Sequence, residues 1–86
     1  MTYSVDVTNN AIKTLQKLDK QTRRRIQSAI LQLEEDPRPP GAIALKGMKD
    51  HFRIRVGHYR VIYSIDDGHL MVLVIRVGHR REVYER

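Results

Sequence analysis

Phe52-Arg53-Ile54-Arg55-Val56-Gly57-His58-Tyr59-Arg60-Val61-Ile62-Tyr63 reads as a β-hairpin, and its register decides the fold. β-branched and aromatic residues alternate with cations on both sides of Gly57-His58, a pair suited to a two-residue type II′ turn with glycine first. With that loop, Val56 pairs with Tyr59, Arg55 with Arg60, Ile54 with Val61 and Arg53 with Ile62. Side chains alternate across a strand, so Arg53, Arg55 and Arg60 share one face. Phe52, Ile54, Val56, Val61, Tyr63 and Ile65 share the other, core-like face. Arg55 and Arg60 stand directly opposite each other, which costs on the order of 0.2–1 kcal/mol. A bridging anion would offset that cost; a solvated face with splayed side chains is the plainer alternative.

Working outward, the string Ile-Arg-Val-Gly-His of residues 54–58 recurs at residues 75–79. Asp67-Gly68 is a type I′ turn signal, and residues 70–77 form the next strand. Strict alternation puts Leu70, Val72, Val74 and Arg76 on the core-like face and Met71, Leu73, Ile75 and Val77 on the arginine face. A strand apolar on both faces is expected to be central and covered on both sides. The arginine face then becomes a basic rim around an apolar floor. Residues 78–84 leave the strand and can carry their side chains back over it.

Upstream, residues 3–7 alternate as a first strand. Thr8-Asn9-Asn10 offers N-caps to a helix with Ala11, Ile12, Leu15 and Leu18 on one face. Asp19 caps a second helix with the stripe Ile26, Ala29, Ile30 and Leu33. Glu34-Glu35-Asp36 sets three acids against that helix's C-terminal dipole, an arrangement that calls for an ionic partner. Asp36-Pro37-Arg38-Pro39-Pro40-Gly41 ends the helix. Residues 42–46 are weakly extended. The order β-α-α-β-β-β predicts one α+β domain over residues 1–86, with an αα-hairpin packed on a mostly antiparallel sheet.

The 86 residues carry 16 Lys+Arg against 10 Asp+Glu, a formal charge of +6. A basic domain of this size calls for an acidic partner: nucleic acid, an anionic membrane surface or an acidic protein. With no cysteine, neither disulfides nor thiolate metal sites are available. The N-terminus lacks a signal-peptide pattern, and the longest apolar run, residues 70–75, is far below the roughly 20 residues that span a bilayer. A soluble, cytoplasmic chain is expected.

No phosphate-binding loop, zinc-protease motif or nucleophile elbow is present. His51, His58, His69 and His79 lack metal-ligand spacing, so no metal and no cofactor are expected. The first three fall at turns. His79 is flanked by Arg76, Arg80 and Arg81, with Tyr84 nearby; neighbouring cations favour the neutral, proton-accepting form of a histidine. Cleavage of RNA by its own 2′-hydroxyl needs a proton acceptor, charge stabilisation at phosphorus and protonation of the leaving oxygen. Arginines meet the second need, and histidine or tyrosine the first or third. Tyr84 also reads as a C-terminal aromatic that closes the core edge.

Leu45-Lys46-Gly47-Met48, the hairpin 52–63 and Val77-Gly78-His79-Arg80-Arg81-Glu82-Val83-Tyr84 together resemble the RelE branch of the RelE/ParE toxins of type II toxin–antitoxin systems. The likeness covers nearly the whole chain. It implies a ribosome-dependent endoribonuclease (an mRNA interferase) that cuts mRNA in the A site without a metal, inhibiting translation. It places functional positions at Arg53, Arg55, Arg60, Arg80 and Tyr84, with Lys46 and Arg81 as further contacts to the RNA backbone. It implies an acidic, RelB-like antitoxin, the ribosome and mRNA as partners, and no membrane. Relatives carry lysine where this chain has Arg53 and Arg55. Arginine keeps the phosphate contact but accepts protons poorly, which leaves proton transfer open to His79. The same fold serves ParE-like toxins that bind DNA gyrase, and a non-catalytic nucleic-acid-binding module is a third reading.

Overall fold

Two oxygen-bearing side chains start the two helices. The computed structural model describes residues 2–79. After β1 (Ser4–Val7), the Thr8 hydroxyl accepts from the Ala11 amide at 3.2 Å and opens α1 (Asn9–Lys17). Leu18 is extended, and Asp19 then accepts from the Thr22 amide at 3.1 Å to open α2 (Lys20–Gln32). Both caps lie where the sequence places them. Ala11, Leu15, Ile26, Ile30 and Leu33 are buried, whereas Ile12, expected in the stripe, is 39% exposed. α2 ends at Gln32, so the three acids fall in the turn beyond it. There Tyr3 donates its amide to the Glu34 carbonyl, and Asp36 accepts from the Arg38 amide.

Four strands follow: β2 (Ile43–Ala44), β3 (His51–Val56), β4 (Tyr59–Asp66) and β5 (Met71–His79). The weakly extended stretch after the prolines thus contributes a two-residue edge strand. The sheet order is β1-β5-β4-β3-β2, with β1 parallel to β5 and the other neighbours antiparallel. The β3–β4 register is the one expected, from Val56↔Tyr59 to Phe52↔Tyr63. Gly57 takes φ +60°, the conformation that a first-position glycine supplies without strain.

The β4–β5 connection differs from expectation. Asp66 pairs with Met71, so the loop holds residues 67–70 instead of two, with Leu70 at φ +53°. Asp66 accounts for the extra length, since its carboxylate accepts from the His69 amide at 3.2 Å and meets His69 Nδ1 at 2.9 Å. A two-residue shift preserves the alternation, so the faces of residues 71–74 are as expected.

Further along, the faces change. Tyr63 pairs with Val74 but Ile62 pairs with Arg76, leaving Ile75 as the extra residue of a β-bulge. Beyond it Val77 pairs with Val61 on the core face, and Arg76 joins the face of Arg53 and Ile62. Strict alternation had put these two residues the other way round. Thr8 explains why the bulge is tolerated: its hydroxyl donates to the Ile75 carbonyl at 2.7 Å and its amide to the Val74 carbonyl at 2.9 Å.

The core lies between the helices and one sheet face. Ile54, Val61, Tyr63, Ile65, Val72, Val74 and Val77 pack there against α1 and α2. Each fully buried aliphatic contributes about 1.5–3 kcal/mol. β5 is interior as predicted, but among the described residues its outer face is only partly covered, with Met71 41% and Leu73 39% exposed. The proline connector is fixed to the sheet by Tyr63, whose hydroxyl donates to the Pro37 carbonyl at 2.7 Å; burial pushes that phenol up to about 12. Arg38 lies 5.3 Å from the centre of the Phe52 ring and makes two hydrogen bonds to Asp67, which also accepts from the Tyr3 hydroxyl. Arg38 and then Tyr3 hold the Asp67 carboxyl below its usual range.

Candidate nucleic-acid interface

The outer sheet face carries its cations in two rows. Reading across the strands, Ile43, Arg53, Ile62 and Arg76 form one row, from β2 to β5. Arg55, Arg60 and Gly78 form the next. Leu45 and Ile62 are buried together in a small cluster on this face, so the apolar floor between the arginines is made by these two and not by the β5 residues Met71, Leu73, Ile75 and Val77 that strict alternation assigned to it. A groove of about 390 Å³ opens beside β3, lined by Pro40, Gly41, Ile43, Arg53, Ile54 and Arg55.

The electrostatics of this face favour an anion. Arg55 and Arg60 are opposite one another, and Arg55 is exposed while Arg60 is half-buried. The Arg60 Nε is buried and has no hydrogen-bond partner among the described residues. A buried donor without a partner costs about 1–3 kcal/mol, more when charged, and an oxyanion relieves that cost together with the repulsion. Arg38, committed to Asp67, stands apart from the rows.

The sequence-predicted residues divide into groups. Arg53, Arg55 and Arg60 are brought together. Lys46 is exposed in the turn after β2, next to Leu45, whose amide donates to the His51 carbonyl. His79 pairs with Tyr59, and its ring lies 5.6 Å edge-on from Tyr59 and 6.1 Å stacked over His58. Tyr59 packs against the core cluster, so His79 sits on the helix side of the sheet and not above the arginine rows. The bulge is again the physical reason, because it reverses the phase of every residue after Ile75. Arg80, Arg81 and Tyr84 lie outside the described residues. Arg76 is the cation that sequence reasoning missed. An arginine at a nominal core position was itself the available signal that the alternation breaks.

Known proteins share both the sequence and this architecture. The family model for the ParE toxin of type II toxin–antitoxin systems matches residues 5–84. The mRNA interferase toxin RelE of Escherichia coli K12 is 34% identical over 88 residues, covering 98% of this chain and 92% of the relative. The chain belongs to the RelE/ParE toxin family. Another member, toxin RelG of Mycobacterium tuberculosis, is 34% identical over 91 residues and covers both chains fully. Among solved RelE structures, the archaeal RelE–RelB complex from Pyrococcus horikoshii OT3 superposes with a TM-score of 0.83 at 34% identity, covering 93% of this chain and 97% of that one. The intact E. coli RelBE toxin–antitoxin complex gives 0.78 at 31% identity, covering 98% and 99%. Among the described residues of this RelE/ParE chain, no helix is long and apolar enough to cross a membrane.

Proposed function

We propose that this chain is an mRNA interferase, a ribosome-dependent endoribonuclease that cleaves mRNA in the A site. The observation that carries the reading is the arginine face, where Arg55 and Arg60 oppose each other and the Arg60 Nε is buried without a partner. E. coli and Shigella flexneri relatives bearing the name mRNA interferase support it.

The 2′-oxygen loses its proton and attacks the adjacent phosphorus. The bond to the 5′-oxygen breaks, leaving a cyclic phosphate on one fragment, and the departing oxygen takes up a proton. Arg55 and Arg60 stabilise the charge that develops on the phosphoryl oxygens, with Arg80 as a third cation. Arg53, Lys46 and Arg81 hold the flanking backbone, and Tyr84 stacks on a base or delivers the proton. No metal takes part. Arginine accepts protons poorly, so proton removal falls to His79 or Tyr84. The position of His79 beside Tyr59 favours Tyr84, which then passes the same proton to the departing 5′-oxygen. The arginine rows themselves supply charge and no base, which fits a catalyst that depends on the ribosome to bring the 2′-oxygen into line with the scissile bond.

The partner in the inactive state is an acidic, RelB-like antitoxin. The +6 charge and the likeness to solved RelE–RelB complexes support this.

Incubation with programmed ribosomes, followed by mapping of mRNA ends, tests the reading. New ends within codons, lost in Arg60→Ala, are expected. Absence of such ends together with accumulation of gyrase–DNA breaks would overturn it in favour of a ParE-type activity.

A further inference from the structure

We infer that Arg76 is a backbone-binding residue of the same face, holding the phosphate next to the one between Arg55 and Arg60. The inference rests on the endonuclease reading and adds to it a second phosphate position and the direction in which the RNA crosses the sheet.

The placement follows from the bulge. With Ile75 unpaired, Arg76 lies beside Ile62 on β4, and Arg53 lies beside the same Ile62 from β3. Neighbouring strands are about 4.8 Å apart, so Arg53 and Arg76 straddle the apolar floor with roughly 10 Å between their backbones. Arg60 is the diagonal neighbour of Arg76, at about 7–8 Å. The two rows are separated by two residues of strand, about 6.8 Å. Arg55 and Arg60 are close enough to hold one phosphate between them. Arg53 and Arg76 are too widely spaced to grip that same group, and they face the next phosphate along the strand, above Ile62. Arg76 is exposed, Ile62 is 8% exposed beneath it, and Gly78 stands opposite Arg60 with no side chain of its own. The backbone therefore runs from the first row to the second, toward β5. The Thr8 hydroxyl on the Ile75 carbonyl fixes the bulge and with it the direction of Arg76.

Arg76→Ala, Arg76→Lys and Lys13→Ala are compared with the native chain. Lys13 is exposed on α1, and its removal changes net charge equally, far from the rows. The probe is a short single-stranded 2′-O-methyl RNA, which cannot be cut, bound across a salt series. Each phosphate contact contributes about 0.7 to the slope of log K against log salt for a single strand. Arg76→Ala is expected to lower the slope by about that amount and to weaken binding several-fold, with Arg76→Lys restoring the slope and Lys13→Ala leaving it unchanged. In ribosome cleavage, Arg76→Ala raises the half-saturating ribosome concentration several-fold with little change in the saturated rate. An unchanged slope in Arg76→Ala, an equal loss in Lys13→Ala, or no binding by the native chain overturns the inference. Failure of the native chain to cut mRNA on ribosomes, with the slope difference intact, overturns the endonuclease reading and leaves the phosphate contact standing. Arg76→Gln, closer in length, replaces the alanine variant if that one does not fold.

Discussion

Thr8 joins the first helix to the bulge, so removing its hydroxyl affects both. In Thr8→Val the Ala11 amide loses its cap acceptor and the Ile75 carbonyl loses its 2.7 Å donor. Loss of a threonine cap costs about 1 kcal/mol. A carbonyl left without a donor at a part-buried site costs about another 1–2 kcal/mol. The sum, about 2–3 kcal/mol, corresponds to a fall in melting temperature of roughly 8–24 °C for a domain of this size. Thr8→Ser keeps both bonds and removes only a methyl group, so it is expected to melt close to the native protein. Thr8→Asp separates the two contributions. Its carboxylate caps the helix but cannot donate to Ile75, and it places a negative charge against that carbonyl. Thermal melting and urea denaturation of the three variants measure the series. If Thr8→Val unfolds within about 2 °C of the native chain, or if Thr8→Asp matches Thr8→Ser, the hydroxyl does not hold the bulge and the coupling argued above is wrong.

Two further outcomes follow from the same geometry. Arg55→Ala removes the cross-strand repulsion with Arg60, so it is expected to leave stability unchanged or raise it by about 0.2–1 kcal/mol while lowering mRNA cleavage sharply; a destabilised variant would show that Arg55 serves the fold. Tyr63 has its phenol raised from 10.0 to about 12 by burial, so its contribution is complete below pH 10 and is lost as pH rises from 10 towards 12. Tyr63→Phe leaves the Pro37 carbonyl without its donor and is expected to cost about 1–3 kcal/mol at neutral pH, yet to show a flatter loss of stability above pH 10 in urea titrations. An alkaline limb as steep as that of the native chain would refute the assignment.

The hairpin was legible in the sequence because two independent constraints agree on its register. A glycine-first loop fixes which residues pair, and the alternation of arginine with β-branched residues fixes which face each occupies. The caps at Thr8 and Asp19 were legible because short oxygen side chains stand directly before apolar helical stripes. The β4–β5 loop misled because Asp67-Gly68 carries the stronger turn signal, while Asp66 makes the bonds that close the loop. The bulge was hidden for a more basic reason. Apart from an arginine at a nominal core position, one extra residue leaves no mark in the sequence, and its stabilising bond comes from Thr8, 67 positions away. The misplacement of Arg76, Val77 and His79 all traces to that single residue.

The sheet order also determines when the molecule can exist. Among the described residues β5 is the last strand to be synthesised, yet it lies between β1 and β4. β1 is the first to be made, and its hydrogen-bonding partner begins at Met71, opposite Ser4. Contacts this distant in sequence form slowly, because a long loop must close before they contribute. A nascent chain that has reached β4 has the β3–β4 hairpin and its three arginines but no strand to seat β1 and no complete floor for α1 and α2. The sheet is finished only once β5 has been made, so termination before Met71 yields an unfolded fragment and not a weakened toxin.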